Sequence, residues 1–318
     1  MKKLVLVMVV LLIIAAPVVF AAGQEEGGTG SKGKIQVGVS MALFDDMWLT
    51  NLRDAIAEYA KEIDDLEVFI QDGKNDTQVQ LSQVENFIAQ DFDAIIVNPV
   101  DTDSTSSVTK RCVNAGVPLI YVNRAPNEEL PKGVYLVVSD EEVAGRMQGE
   151  VLAEKLGGKG NVVVMLGELS HSGTHGRTRG VKEVFNKYPD IKIIDEQTAN
   201  WKRDEALNLM SNWLQTGEKI DAVASNNDEM AIGAIIALKN AGYKPNKDVW
   251  VGGVDATADA MDFMKAGDLT VSIFQDAVGQ GRGAIDTAYR VIKGENVDQK
   301  VWIPFVKVTE DNFTEFMK

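Results

Sequence analysis

Apolar residues in this chain cluster in short, β-branched runs separated by longer stretches with helical spacing. The first set of runs lies at residues 34–39, 68–70 and 94–98, and a second at 161–165, 191–194 and 222–227. Runs of this kind, alternating with amphipathic stretches, predict βαβ units and parallel sheets. Parallel strands are buried on both faces, so polar residues gather past their carboxyl ends, where open α/β sheets bind ligands. Two such halves predict two mouths facing one cleft.

Between the strands, Leu49, Leu52, Ala55, Ile56, Tyr59 and Ile63 form one helical face. Asp76 is a natural N-cap for a helix that turns Leu81, Val84, Phe87 and Ile88 inward. Val108, Cys112 and Val113 carry a third helix, closed by Gly116, and residues 117–122 form the next strand. In the second half, helices are expected over 206–213, from Asp228 to Gly242 and over 258–265, with strands at 249–254 and 269–274. A helix over about 281–293 and a strand over 301–308 complete the pattern. That last helix follows strands of the second half, yet the first half is the one that lacks a closing element. Three crossings, near Ser139, Gln275 and Val306, resolve this. They make 34–138 plus 276–306 one lobe and 139–275 plus 307–318 the other, two doubly wound parallel-sheet domains. A hinge of several segments permits closure without local unfolding.

The chain has 318 residues, enough for two such cores. Its net charge of -15 argues against a nucleic-acid surface, which needs a basic stripe. Lys2 and Lys3 precede a charge-free, mostly apolar run to Ala22, and Val19-Phe20-Ala21 offers a small-residue cleavage site. Residues 1–22 read as a secretory signal peptide, with an uncleaved membrane anchor as the rival. Residues 23–33, rich in Gly, Glu and Ser, read as a flexible linker. Cys112 is the single cysteine, so no internal disulfide forms, and it reads as a small half-buried hydrophobe.

Chemistry concentrates at the strand ends. Asp45 and Asp46 open a helix, where carboxylates favour the dipole, but capping does not explain Trp48 beside them. Arg124 stands immediately past a strand with no helix end to complement, and Pro126 keeps Ala125 out of a helix. Arg177 lies near a helix start, where a cation opposes the dipole, so it is not there for helix stability. His171 and His175 lack a carboxylate or cysteine to complete a metal set. Trp201 is either a core ring or a cleft wall. Asp228 reads as an N-cap, whereas Asn227 and Asp255 point across the mouth and Gln275 sits at a crossing. Carboxylates, arginines, an amide and two tryptophans suit a neutral polyhydroxylated ligand, whose hydroxyls both donate and accept. Paired carboxylates could also mean a glycosidase, but two arginines in the same cleft are expected to hold the carboxyl pKa values down, leaving no general acid.

The segments Phe44-Asp-Asp-Met-Trp48, Asn98-Pro-Val-Asp101, Val122-Asn-Arg124, Asn226-Asn-Asp-Glu-Met230, Gly253-Val-Asp-Ala256 and Phe274-Gln275 resemble the ribose/galactose-type periplasmic sugar-binding proteins of ABC importers. Within that family, residues 167–170, 196–201, 253–257 and 274–277 look most like the myo-inositol and rhizopine binders. The resemblance spans the chain from about Lys34 onward and implies a type I periplasmic-binding-protein architecture. It implies a ligand shell of Asp46, Trp48, Asn98, Arg124, Arg177, Trp201, Asn227, Asp255 and Gln275, with His171 at a position that is histidine in galactose-type members. Galactose-type members also carry an Asp/Asn-rich calcium loop, and this sequence shows none; neither a metal nor a cofactor is expected. The implied activity is capture of a cyclic polyol or monosaccharide by an exported, monomeric, non-enzymatic protein and delivery to the permease subunits of an ABC transporter. Myo-inositol or a derivative leads, galactose, ribose or another monosaccharide is the alternative, and docking to a chemoreceptor or chemistry on a sugar are further ones.

Overall fold

The computed structural model describes residues 33–317, so the export-signal reading and all but the last linker residue lie outside the described residues. Buried β-branched runs become the strands of two parallel sheets. In the first, β1 (Ile35–Met41), β2 (Leu66–Asp72), β3 (Ala94–Val97), β4 (Leu119–Val122), β5 (Val134–Val138) and β11 (Lys300–Trp302) run in the order β11-β5-β4-β3-β1-β2. In the second, β6 (Lys159–Leu166), β7 (Asp190–Thr198), β8 (Ala222–Ser225) and β9 (Trp250–Gly252) run β7-β6-β8-β9.

Strand alternation shows why these runs are apolar throughout. Ile96, Ile120 and Val122 enter the core on one face of the first sheet, and Ile95, Val97, Leu119 and Tyr121 enter the core on the other. The second sheet divides likewise, Val163 and Met165 on one face, Val162 and Val164 on the other. Helices α1 (Met47–Ala60), α2 (Thr77–Ala89) and α3 (Ser106–Ala115) belong to the first unit, and α4 (Glu141–Lys155), α5 (Ser172–Phe185), α6 (Arg203–Gln215), α7 (Asp228–Asn240) and α8 (Ala258–Lys265) to the second. Helix α9 (Ala277–Ile292) follows β10 (Ser272–Phe274) yet packs on α1, β3, β4 and β5.

Two expectations need correction. The single strand at 301–308 is two strands in different sheets: β11 runs parallel to β5, while β12 (Val306–Val308) runs antiparallel to β10. Pro304 lies between them, and a residue without an N–H cannot continue a ladder. Val306 therefore pairs with Phe274 in the second domain rather than belonging to the first. Strand β5 and helix α4 escaped sequence reading. On α4 the buried residues include Gly145, Gln148 and Gly149, which carry no apolar periodicity.

Both sheets reverse strand order between their first and third strands, β1/β3 and β6/β8. Loops leaving these four carboxyl ends diverge and open a crevice in each domain, the topological switch point where such sheets hold ligands.

Candidate functional site

Segments following β1, β4, β6, β7, β8 and β9 and the crossing after β10 converge on one cavity between the domains, with an empty volume of about 350 Å³ that includes open space at its mouth. From the first domain come Asp46, Trp48, Leu49, Asn123 and Arg124; from the second come His171, Arg177, Trp201, Asn227 and Asp255, with Gln275 at the crossing.

The structure brings together every site residue expected from sequence except Asn98. Asn98 is fully buried behind the wall, where its Oδ1 accepts from Ala42 N at 3.2 Å. Its Nδ2 donates to Val122 O at 3.3 Å and to Asn123 Oδ1 at 3.2 Å, so its amide is consumed inside the domain. Asn123, the middle residue of the Val122-Asn-Arg124 segment, lines the cavity instead, at a positive φ of 68° that asparagine tolerates. Leu49 was also missed, because as a helix-face residue it looked like core alone.

Several side chains do two jobs. Asp46 is the N-cap of α1, accepting from Leu49 N at 2.7 Å. Asn227, not Asp228, caps α7, accepting from Met230 N and donating to Trp201 O at 3.2 Å. Asp228 is instead fully buried, accepting from Ser272 Oγ at 2.7 Å and Thr257 N at 3.0 Å, and burial pushes its carboxyl up to about 7. His171 caps α5, its Nδ1 accepting from Gly173 N at 2.8 Å. Burial, together with Arg124 and Arg177, holds its pKa well below the ordinary range, so the ring is neutral and carries its proton on Nε2 as a donor.

The two arginines differ. Arg124 donates through Nη1 to Pro99 O at 2.8 Å and Val100 O at 3.2 Å, while its buried Nε has no partner. Arg177 is held on three sides: Nε to Glu141 Oε2 at 2.6 Å, Nη1 to Asn226 O at 2.7 Å and Nη2 to Gln275 Oε1 at 3.1 Å. Asp255 Oδ1 stands 3.7 Å from Arg177 Nη1. The expectation that the arginines would hold its pKa low is overturned: burial outweighs Arg177 and raises Asp255 well above the ordinary carboxylate range. Asp255 has φ 120°, a conformation rare outside glycine that clusters at binding sites.

Trp201 also adopts a positive φ, 67°, and its ring lies so close over Gly167 that a Cβ there would sit 2.0 Å from Cζ2. Glycine at 167 is what admits the ring. The indole stands edge-on to His171 at 4.9 Å and 5.7 Å from the Arg177 guanidinium carbon, and its buried Nε1 has no partner. Aromatic walls, an unpartnered indole N–H and hydrogen-bonding groups of both kinds can hold the C–H faces and hydroxyls of one ring. No group of three or more metal-ligating side chains occurs among the described residues. Cys112 is buried in α3 and its thiol is pushed up to about 12, so it is no nucleophile.

The domains also touch at the rim. Thr102 Oγ1 donates to Ser170 O at 2.8 Å, Ala125 N to Ser172 Oγ at 3.2 Å and Asn75 Nδ2 to Glu168 Oε1 at 3.3 Å.

The model of the periplasmic binding protein domain matches residues 37–296. The putative rhizopine-binding protein of Rhizobium meliloti is 49% identical over 284 residues, covering 88% of this chain and 92% of that protein. The xylitol-binding protein of Mycolicibacterium smegmatis is 37% identical over 266 residues, covering 83% of this chain and 74% of its own. Among solved structures, an ABC transporter solute binding protein from Bacillus halodurans with bound myo-inositol superposes with a TM-score of 0.86 at 40% identity, covering 91% of this chain and 99% of that one.

Proposed function

The chain belongs to the periplasmic binding protein family, and from that premise we propose that its solute is a cyclic polyol, myo-inositol or a close derivative, captured between the two domains. As a member of the family it is a sugar- or polyol-binding protein of an ABC importer, not an enzyme, with an extracytoplasmic place of work. The observation that carries the proposal is the pair Arg177 and Asp255 beside the unpartnered Nε1 of Trp201. A fixed cation, a carboxylate and an indole donor match a ring whose hydroxyls are both donors and acceptors. The 49% and 40% identities to proteins whose names carry rhizopine and myo-inositol support the same ligand class.

In this reading Asp46, Arg124, His171, Asn227 and Gln275 supply the remaining polar contacts, and Trp48 and Trp201 the ring walls. The lobes divide as 34–138 plus 276 to about 303 and 139–275 plus the remainder. The protein is a monomer, exported by a cleaved signal peptide, and hands its solute to a membrane permease.

A thermal-shift panel of myo-inositol, xylitol, D-ribose and D-galactose tests the ligand. A solute at about 100 times its Kd stabilises the native state by about 2.7 kcal/mol. Myo-inositol is expected to give the largest shift; a shift with ribose or galactose alone overturns the cyclitol reading and keeps the class.

A further inference from the structure

We propose that Glu141, which lines no part of the cavity, is the positioning residue that fixes Arg177 for ligand capture and joins it to the hinge. This rests on the polyol reading above. Glu141 stands in the first turn of α4, immediately after the chain leaves the first sheet at Val138. Its Oε2 takes the Arg177 Nε hydrogen at 2.6 Å, and its Oε1 is 3.5 Å from Gln275 Nε2, where the chain returns.

Two further observations support the role. First, α5 packs closely against the start of α4: a Cβ at Gly176 would lie 2.4 Å from Glu141 Cβ. Glycine at 176 admits the close helix approach that brings the Glu141 side chain to Arg177. Second, a guanidinium has five N–H donors in a rigid fork. Glu141, Asn226 and Gln275 take one each, leaving one on each terminal nitrogen for Asp255 and a ligand hydroxyl. Without Glu141 the fork rotates about its stem and those two donors lose their aim. Through the Trp48 Nε1 bond to Gln275 O at 3.1 Å, the same network reaches α1 of the first domain.

Isothermal titration of the full chain tests this, using as probe whichever of myo-inositol, xylitol, D-ribose and D-galactose binds the wild type most tightly. Glu141→Gln should weaken binding about tenfold or more, the loss expected for one charge-assisted bond. Glu141→Asp, which keeps the charge but shortens the arm, should also weaken it and covers the case in which the first variant folds poorly. The discriminating measurement is the cycle with Arg177→Lys, which keeps the cation and discards the fork. The double variant should bind little more weakly than Arg177→Lys alone, because Glu141 acts chiefly through the fork, its 3.5 Å contact with Gln275 being long. Losses that add, or wild-type affinity in both Glu141 variants, overturn the inference while leaving the polyol reading intact. No binding of any probe by the wild type overturns both.

Discussion

The indole N–H of Trp48 donates to the backbone carbonyl of Gln275 at 3.1 Å, and 227 positions of sequence separate the two residues. One end stands on the first helix of the first domain, the other where the chain leaves the second domain. The same carbonyl also accepts from Ala277 N at 3.0 Å, so losing the indole donor does not orphan it. Trp48→Phe should therefore leave the melting temperature of the empty protein nearly unchanged. Ligand affinity should fall by up to about tenfold, since a neutral hydrogen bond contributes about 1 kcal/mol. Calorimetric titration alongside a melting curve separates the two quantities, and unchanged affinity would show that the bond plays no part in closure.

Asp255 pays in stability for its place in the cavity. Among the described residues no hydrogen bond reaches its buried carboxylate, and Arg177 at 3.7 Å offsets its desolvation only in part. Asp255→Asn should raise the melting temperature of the empty protein while weakening binding at least about tenfold, because an amide cannot accept on both atoms. If the variant melts lower, the carboxylate is a structural partner of Arg177 rather than a ligand group.

At Gly167 the expected effect comes from volume. A methyl there meets three Trp201 ring atoms within 2.2 Å, so the ring must shift to admit it. Gly167→Ala should displace the ring and cost at least about tenfold in affinity, as moving a well-packed aromatic costs about 1–3 kcal/mol. Intrinsic fluorescence of Trp201 should shift in the empty protein as well. An unaltered spectrum with unaltered binding places the ring outside the ligand's reach.

The buried carboxyl of Asp228 predicts a pH dependence. Its folded pKa, about 7, exceeds the ordinary value of 3.8, so the folded state holds the proton more tightly than the unfolded one. Stability should then fall as pH rises from about 4 through 7 and level off above, by proton linkage. His171 acts oppositely: its depressed pKa means that acid below about 6.5 favours the unfolded chain. Asp228→Asn removes the first dependence, so relative to wild type the variant should gain melting temperature as pH rises from about 4 to 7 and hold that gain above. A difference between the two proteins that does not change with pH would mean that Asp228 does not titrate there.

Much of this site was legible because switch-point loops are short and their polar residues stand out against apolar strands. Arg124 and Arg177 were found by asking what a cation does where no helix end rewards it. Trp201 was found as a large ring in a loop. Glu141 was invisible: an acidic residue in a first helical turn is what capping alone would place there, and its partner is 36 positions away. The split at Pro304 was readable from the missing N–H, but the apolar residues on either side read as one run. Asp228 was misread because N-cap and first-turn positions differ by one residue, and only the structure shows Ser272 and Thr257 converging on its carboxylate.

Asn98 gives the sharpest contrast between what a strand-end position promises and what it does. Sequence placed it in the ligand shell, whereas the structure engages its side chain with Ala42 N, Val122 O and Asn123 Oδ1, all in the first domain. Asn98→Ala strands the Ala42 N–H and removes the amide that orients Asn123. An unsatisfied buried group costs about 1–3 kcal/mol. For a chain of this size each kcal/mol lowers the melting temperature by roughly 2–4 °C, so a fall of several degrees is expected in the empty protein. Affinity should stay within about fivefold, since less than 1 kcal/mol reaches the ligand through Asn123. Asn123→Ala should show the reverse balance, a small change in melting and a larger loss of binding, because its side chain faces the cavity wall at a loop whose backbone Asn98 also holds. Differential scanning calorimetry and titration on both variants decide the matter. If Asn98→Ala loses affinity and keeps its stability, the amide contacts the ligand and the wall must open further than the structure shows.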